Sequence, residues 1–158
     1  MLIRRANRQD IGRINDLLRQ VLSVHAAGRP DIFKAGRKKY TDEELQTIVT
    51  DDSTPVFVAI DETGYLVGYA FCMFQITKNS AILQDKKALF IDDLCVDESC
   101  RGQHIGTALF EHVSAFAKAS GCDCITLNVW NLNEPAMRFY DKCGFAPLKV
   151  VMEKQLPE

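Results

Sequence analysis

Between Leu94 and Thr107 the chain passes from apolar strand formers (Leu94, Cys95, Val96) through a polar, glycine-containing turn (Arg101, Gly102, Gln103, His104). It then enters an apolar-striped stretch opening at Ile105, Gly106 and Thr107. A strand that turns straight into a helix leaves the first helical N–H groups without intrahelical acceptors, and the helix dipole adds positive potential at the same point. A pyrophosphate suits that place. Each charge-assisted hydrogen bond contributes about 1.5–3 kcal/mol, so several main-chain amides hold an anion with little help from side chains. Small residues let the anion approach the main chain. A dinucleotide-binding turn is the natural competitor, but the strand before this loop follows a hairpin and not a repeating β-α-β unit.

Just upstream, Asp92 and Asp93 interrupt the apolar run Leu89-Phe90-Ile91 and Leu94. Acids placed among apolar residues can accept a proton, for example from an amine. An amine with a lysine-like pKa of about 10.4 costs roughly 4–5 kcal/mol to deprotonate at neutral pH. A carboxylate that accepts the proton lowers that cost. Successive strand side chains face opposite ways, so only one of the two acids meets a given site unless a bulge intervenes. The spacing puts Asp92 on one face with Phe90 and Leu94, and leaves Asp93 to anchor a neighbouring loop. Two acids at the wet edge of a sheet are the bland alternative. Either acid also suits simple binding of a cationic substrate.

These residues need a frame. Leu2 to Arg5 reads as a first strand, Asn7 as a helix N-cap with Asp10 in a capping-box position, and Ile11, Ile14, Leu18, Val21 and Leu22 as one apolar helical face. Thr41 to Glu44 opens a second short helix. From Pro55 the period changes to two: Val56 to Ile60, Tyr65 to Ile76 and Ala88 to Val96 read as strands. Ile105, Leu109, His112, Val113 and Phe116 trace a third helix closed near Gly121. Cys124 to Trp130 reads as a strand, Asn133 to Cys143 as a helix ended by Gly144, and Val150 to Lys154 as a last strand. The order β-α-α-β-β-β-α-β-α-β, without repeat or linker, describes one α+β domain over residues 1–158.

A second constellation lies downstream. Asn133-Glu134-Pro135-Ala136-Met137-Arg138-Phe139-Tyr140 follows a strand and leads to Gly144-Phe145. With Arg101-Gly102-Gln103-His104-Ile105-Gly106, it resembles the two signatures of the GNAT superfamily of N-acetyltransferases, in that family's order and separation. His104 stands where the family normally has a glycine, and a β-carbon is tolerated there if the backbone stays helical. The resemblance implies a GNAT-like fold: a mixed, twisted sheet of about six to seven strands flanked by helices, with a splayed strand pair. It also implies acetyl-CoA as co-substrate. Its pyrophosphate would lie on Arg101 to Thr107, and its pantetheine arm would pair with the main chain of Leu94, Cys95 and Val96 as an added strand. By the same resemblance Asn133 and Ala136 contact the cofactor, Tyr140 protonates the leaving sulfur, and Asp92 is the base. A main-chain N–H near Val96 would donate a hydrogen bond to the carbonyl oxygen.

What this implies is an acyl-CoA-dependent N-acyltransferase that acts on a small-molecule or peptide amine by direct attack through a tetrahedral intermediate. The rival readings are a non-catalytic acyl-CoA-sensing module, favoured by the His104 departure, and a structural protein using only the fold. A homodimer is a further family-based expectation. The net charge of −2 over 158 residues offers no basic field for nucleic acid. No run approaches the ~18 apolar residues of a membrane span, and the N-terminus lacks a signal-peptide core, which points to the cytoplasm. The six cysteines and three histidines lack metal-site spacing, so no metal is expected. The acceptor pocket is expected from the loop His25 to Phe33, the second helix and the hairpin near Phe74 to Ile82. The run Lys34, Arg37, Lys38, Lys39 reads as a solvated surface; its functional alternatives are the cofactor's 3′-phosphate or an acidic peptide.

Overall fold

The computed structural model describes every residue from Met1 to Glu158. Contacts divide the chain into two compact units, Met1–Asn128 and Val129–Glu158. The first contains one sheet in the order β1-β2-β3-β4-β5, formed by Leu2–Arg5, Val56–Ile60, Leu66–Thr77, Lys86–Val96 and Cys124–Leu127. The pairs from β1 to β4 are antiparallel and β5 joins β4 in parallel, so the sheet is mixed. Helices α1 (Ile11–Gly28), α2 (Asp42–Thr50) and α3 (Ile105–Ala119) complete this unit.

Side-chain alternation assigns the two faces. Val56 and Val58 of β2, with Tyr69, Phe71 and Cys95, pack under Ile14, Leu17 and Leu18 of α1 and Leu45 and Val49 of α2. Phe57, Ala70, Cys72, Leu89 and Ile91 point the other way, onto Val113 and Ala117 of α3. The start of α3 sits close to the sheet, where Ile105 and Leu109 join Ala59 and Val67. Gly68 permits this approach: a β-carbon there would come within 2.9 Å of the Cys95 carbonyl oxygen and 3.0 Å of Leu109 Cδ1.

Local chemistry sets the helix starts. Asn7 caps a short 3-10 turn, Arg8–Asp10, with a reciprocal box to Asp10, and α1 follows directly. Thr41 and Glu44 form the same device at α2.

Three expectations about the sheet are corrected. It has five strands, not six or seven. Val150 to Lys154 forms no strand: Val150, Val151 and Met152 are 74%, 90% and 85% exposed. A run of strand-forming residues becomes a strand only against a partner edge that takes its N–H and C=O groups. The strand expected to reach Trp130 ends at Leu127.

In the second unit, α4 (Glu134–Lys142) is capped by Asn133, whose side chain accepts from the Ala136 N–H, with Pro135 in the first turn. Gly144, at φ +92°, ends it.

Candidate active site

The candidate site in the first unit is organised along β4. Its parallel pairing with β5 runs from Ala88↔Cys124 to Ile91↔Leu127 and stops, while its pairing with β3 continues to Gly68↔Val96. The Asp97 N–H donates to the Val67 carbonyl at 2.8 Å, toward β3. Antiparallel backbone groups alternate sides, so the N–H groups of Leu94 and Val96 point away from β3, where the β5 pairing has ended. Cys95 turns its own groups toward β3 and buries its thiol among α1 side chains.

The chain then enters the loop, and its first residues are anchored. Asp97, 6% exposed, accepts from the Ser99 N–H at 3.0 Å and the Ser99 hydroxyl at 2.9 Å. Arg13 of α1 forms an ion pair with the Asp97 carboxylate, donates to the Leu66 carbonyl at 3.0 Å, and lies over the Tyr65 ring. Gln20 accepts from the Glu98 N–H.

Past this anchor the pattern reverses. Within this unit, no acceptor is hydrogen-bonded to the amides of Gly102, Gln103, His104, Ile105, Gly106 and Thr107; the first amide to find one is that of Ala108, on the His104 carbonyl. Arg101, Gly102, Gln103 and His104 are exposed and Ile105 is buried as the helix's first apolar anchor. His104 departs from the expected helical backbone: at φ 61°, ψ 19° it takes the left-handed conformation natural to glycine. Gly102, at φ +79°, does likewise. A histidine adopts that conformation at a cost of about 1–2 kcal/mol.

The acids form a different arrangement. The ladder pairs Phe71 with Asp93 and Cys72 with Ile91, so Asp92 is passed over in a β-bulge. The bulge turns Asp92 and Asp93 to the same side of the sheet, that of α1 and α2. Leu94 returns to the α3 face, so Asp92 does not share a face with it. Asp93 accepts from the Tyr69 hydroxyl at 2.7 Å. Lys39, which precedes α2, places its ammonium 3.5 Å from Asp92 Oδ2 and above the Tyr40 ring.

Burial pushes the Asp93 carboxyl up, against the pull of the Tyr69 hydroxyl and Lys39. Burial also works against the Lys39 charge, but Asp93, Tyr40 and Asp92 outweigh it and hold the ammonium above its ordinary range. Burial, with Lys39 nearby, lowers His25, although Asp93 opposes this. Lys39, Tyr40, Glu44, Thr47 and Ile48 line an adjoining surface cavity of about 420 Å³.

The residues expected to form an acceptor pocket are divided between the two faces of the sheet. His25 and α2 stand on the acids' face, but Phe74 packs against Phe116 of α3 on the other. Lys39, Tyr69, Arg13 and Asp97 were not expected here. Lys39 reads as one member of a solvated basic run, and Arg13 meets its partners 53 and 84 residues along the chain. No local signal in the sequence identifies either.

Three expected site residues belong to the second unit. Asn133 and Ala136 are joined by the capping hydrogen bond, and the Tyr140 ring lies edge-on to Phe139 and Phe145. No group of three or more His, Cys, Asp or Glu side chains is arranged to hold a metal, and no helix is long and apolar enough to cross a membrane.

Comparison with known proteins bears on this geometry. The model of the acetyltransferase (GNAT) family matches residues 21–145. The chain belongs to that family. Of solved structures, a mutant of the BH1408 protein from Bacillus halodurans is 33% identical, with a TM-score of 0.96 over 99% of this chain and 100% of that one. Streptothricin acetyltransferase of Streptomyces lavendulae is 32% identical over 61% of this chain and 47% of its own length. An uncharacterized N-acetyltransferase, MJ1207 of Methanocaldococcus jannaschii, is 29% identical over 77% of this chain and 52% of its own. The GNAT chain thus spans about half the length of the curated relatives it matches. The GNAT family uses acetyl-CoA.

Proposed function

We propose that the chain transfers an acetyl group from acetyl-CoA to a primary amine of a small molecule or peptide, by direct attack. The observation that carries this reading is the set of unpartnered amides from Gly102 to Thr107, beside a β4 edge with outward N–H groups at Leu94 and Val96. These residues fit a pyrophosphate and an extended pantetheine arm: a row of donors for the anion, and a strand edge for the arm's amides. Arg101 adds positive charge at the mouth. The similarity to streptothricin acetyltransferase supports a small-molecule amine.

In this reading Asp92, the more exposed acid, accepts the proton that the attacking ammonium must lose. Asp93, fixed by Tyr69, adds negative charge that holds the amine. The outward Val96 N–H stabilises the developing oxyanion as a fixed dipole. Tyr140 returns a proton to the leaving sulfur, and Asn133 and Ala136 flank the arm, roles that rest on the family resemblance. No acyl-cysteine is needed: burial raises the thiols of Cys72 and Cys95 to about 12, so both stay protonated at neutral pH. No observation favours a non-catalytic sensor, since His104 keeps the backbone conformation a glycine would supply.

The test is acetyl-CoA titration by calorimetry together with thiol release against polyamines, aminoglycosides and peptides. Replacing Tyr140 with Phe should lower turnover by about 100-fold and leave acetyl-CoA affinity within about twofold. Unchanged turnover removes Tyr140 as the acid. Absence of acetyl-CoA binding by the wild type ends the reading altogether.

A further inference from the structure

We infer that Lys39 is a self-acetylation site, its ε-amine standing where the acceptor's amine must stand. The inference rests on the acetyl transfer proposed above. Any acceptor that delivers a proton to Asp92 must bring its nitrogen to the carboxylate. In the chain as it folds, that position is held by Lys39, whose Nζ lies 3.5 Å from Asp92 Oδ2. The β-bulge turns Asp93 to the same side, so one ammonium faces two acids.

The acids precede Leu94 and Val96 by one to four residues, and strand residues advance by about 3.3 Å each. The ammonium is thus within a side chain's reach of the β4 edge assigned to the acetyl-bearing arm. The Lys39 and Asp92 side chains are 43% and 35% exposed, which leaves the pair open to an incoming thioester. Neighbouring lysines are placed differently. Lys38 is paired with Asp42 at 2.8 Å, and Lys87 donates to the Ser120 carbonyl at 2.8 Å.

The chemistry balances without a further reagent. Asp92 takes one proton from the Lys39 ammonium, and the freed lone pair forms a bond to the acetyl carbonyl carbon. The tetrahedral adduct collapses by breaking the carbon–sulfur bond. The sulfur leaves as a thiolate and is protonated, the second nitrogen proton closing the balance, and the Asp92 proton passes to water. The products are acetyl-Lys39, free coenzyme A and one proton. Acetylation removes the Lys39 charge and so frees both acids for an external ammonium. Self-modification would open the acceptor site.

The experiment incubates the full chain with acetyl-CoA and no added amine, and reads each lysine by peptide mass spectrometry. Lys39 should gain one acetyl group at least about tenfold faster than Lys38. Asp92→Asn should slow it by about 100-fold, and Lys38→Arg should leave it unchanged. Lys39→Arg keeps the charge but should yield no acetyl group at this position. Acetylation of Lys39 no faster than Lys38, or undiminished by Asp92→Asn, would show reaction without the site and overturn the inference. Acetyl-CoA binding with thiol release on added amines, but an unmodified Lys39, sinks this inference alone. No acetyl-CoA binding sinks it together with the reading beneath it.

Discussion

Two stretches of one strand and the turn after it solve opposite problems. From Gly102 to Thr107 six successive amides have no acceptor in their unit, and the residues just before them are tied down by Arg13, Asp97, Ser99 and Gln20. At Asp92 and Asp93 the charged groups already have partners, Lys39 and the Tyr69 hydroxyl. The first region is a rigid frame around unspent donors. The second is a filled constellation that a ligand must enter by displacement. On the function proposed above, the cofactor meets a prepared surface, whereas the acceptor competes with the protein's own side chains.

The largest effect should come from breaking the first region. Gly106→Glu puts a carboxylate among the free amides, where it satisfies the helix dipole and repels a phosphate. We expect the fold to survive and acetyl-CoA affinity to fall by about 1,000-fold, or about 4 kcal/mol, by calorimetry. Normal binding would place the phosphate elsewhere and dissolve the contrast. Arg13→Ala attacks the frame instead. With the Arg13 and Asp97 side chains only 17% and 8% exposed, removing the cation strands a buried carboxylate at a cost of about 3 kcal/mol in denaturant unfolding. Acetyl-CoA affinity should fall by about tenfold although Arg13 lies outside every cofactor motif. A destabilised variant with full affinity would show that the frame serves the fold alone.

The same contrast explains what the sequence made legible. The open amides depend on a strand–helix junction, and residues adjacent in the chain determine it, so the junction at Arg101 to Thr107 could be located from their order. The acids could be named, but not their orientation. Strict alternation separates Asp92 from Asp93, and only the ladder against Phe71 and Cys72 reveals the bulge that joins them. Tyr69 lies 24 residues from Asp93, and Lys39 looks like surface charge until α2 docks. The final strand failed for the converse reason: Val150, Val151 and Met152 carry the propensity, but no edge pairs with them.

A pH series sharpens the second region. Burial, its strongest influence, raises the folded-state pKa of Asp93. Below the ordinary carboxylate value of about 3.9 both folded and unfolded chains carry the proton, and the group exacts no penalty. As pH rises through the folded value, the unfolded chain ionises more readily, and stability is lost. Asp93→Asn removes that penalty while still accepting from Tyr69. The variant should be more stable than the wild type near about pH 8, with the advantage fading toward about pH 4. An advantage that grows on acidification would mean that Tyr69 and Lys39 outweigh burial, and that Asp93 is a stabilising charge.

The smallest effect belongs to His104 and tests whether the loop stores strain. Its left-handed backbone costs a β-carbon residue about 1–2 kcal/mol, and glycine there would recover this less the entropy its freer unfolded chain loses on folding. His104→Gly should therefore stabilise the protein by about 0.5–1 kcal/mol in denaturant unfolding. Acetyl-CoA affinity should stay within about twofold, because the amides would keep their directions. A marked loss of affinity would mean that the imidazole itself touches the anion. The prepared surface would then include a side chain that the family pattern does not ask for.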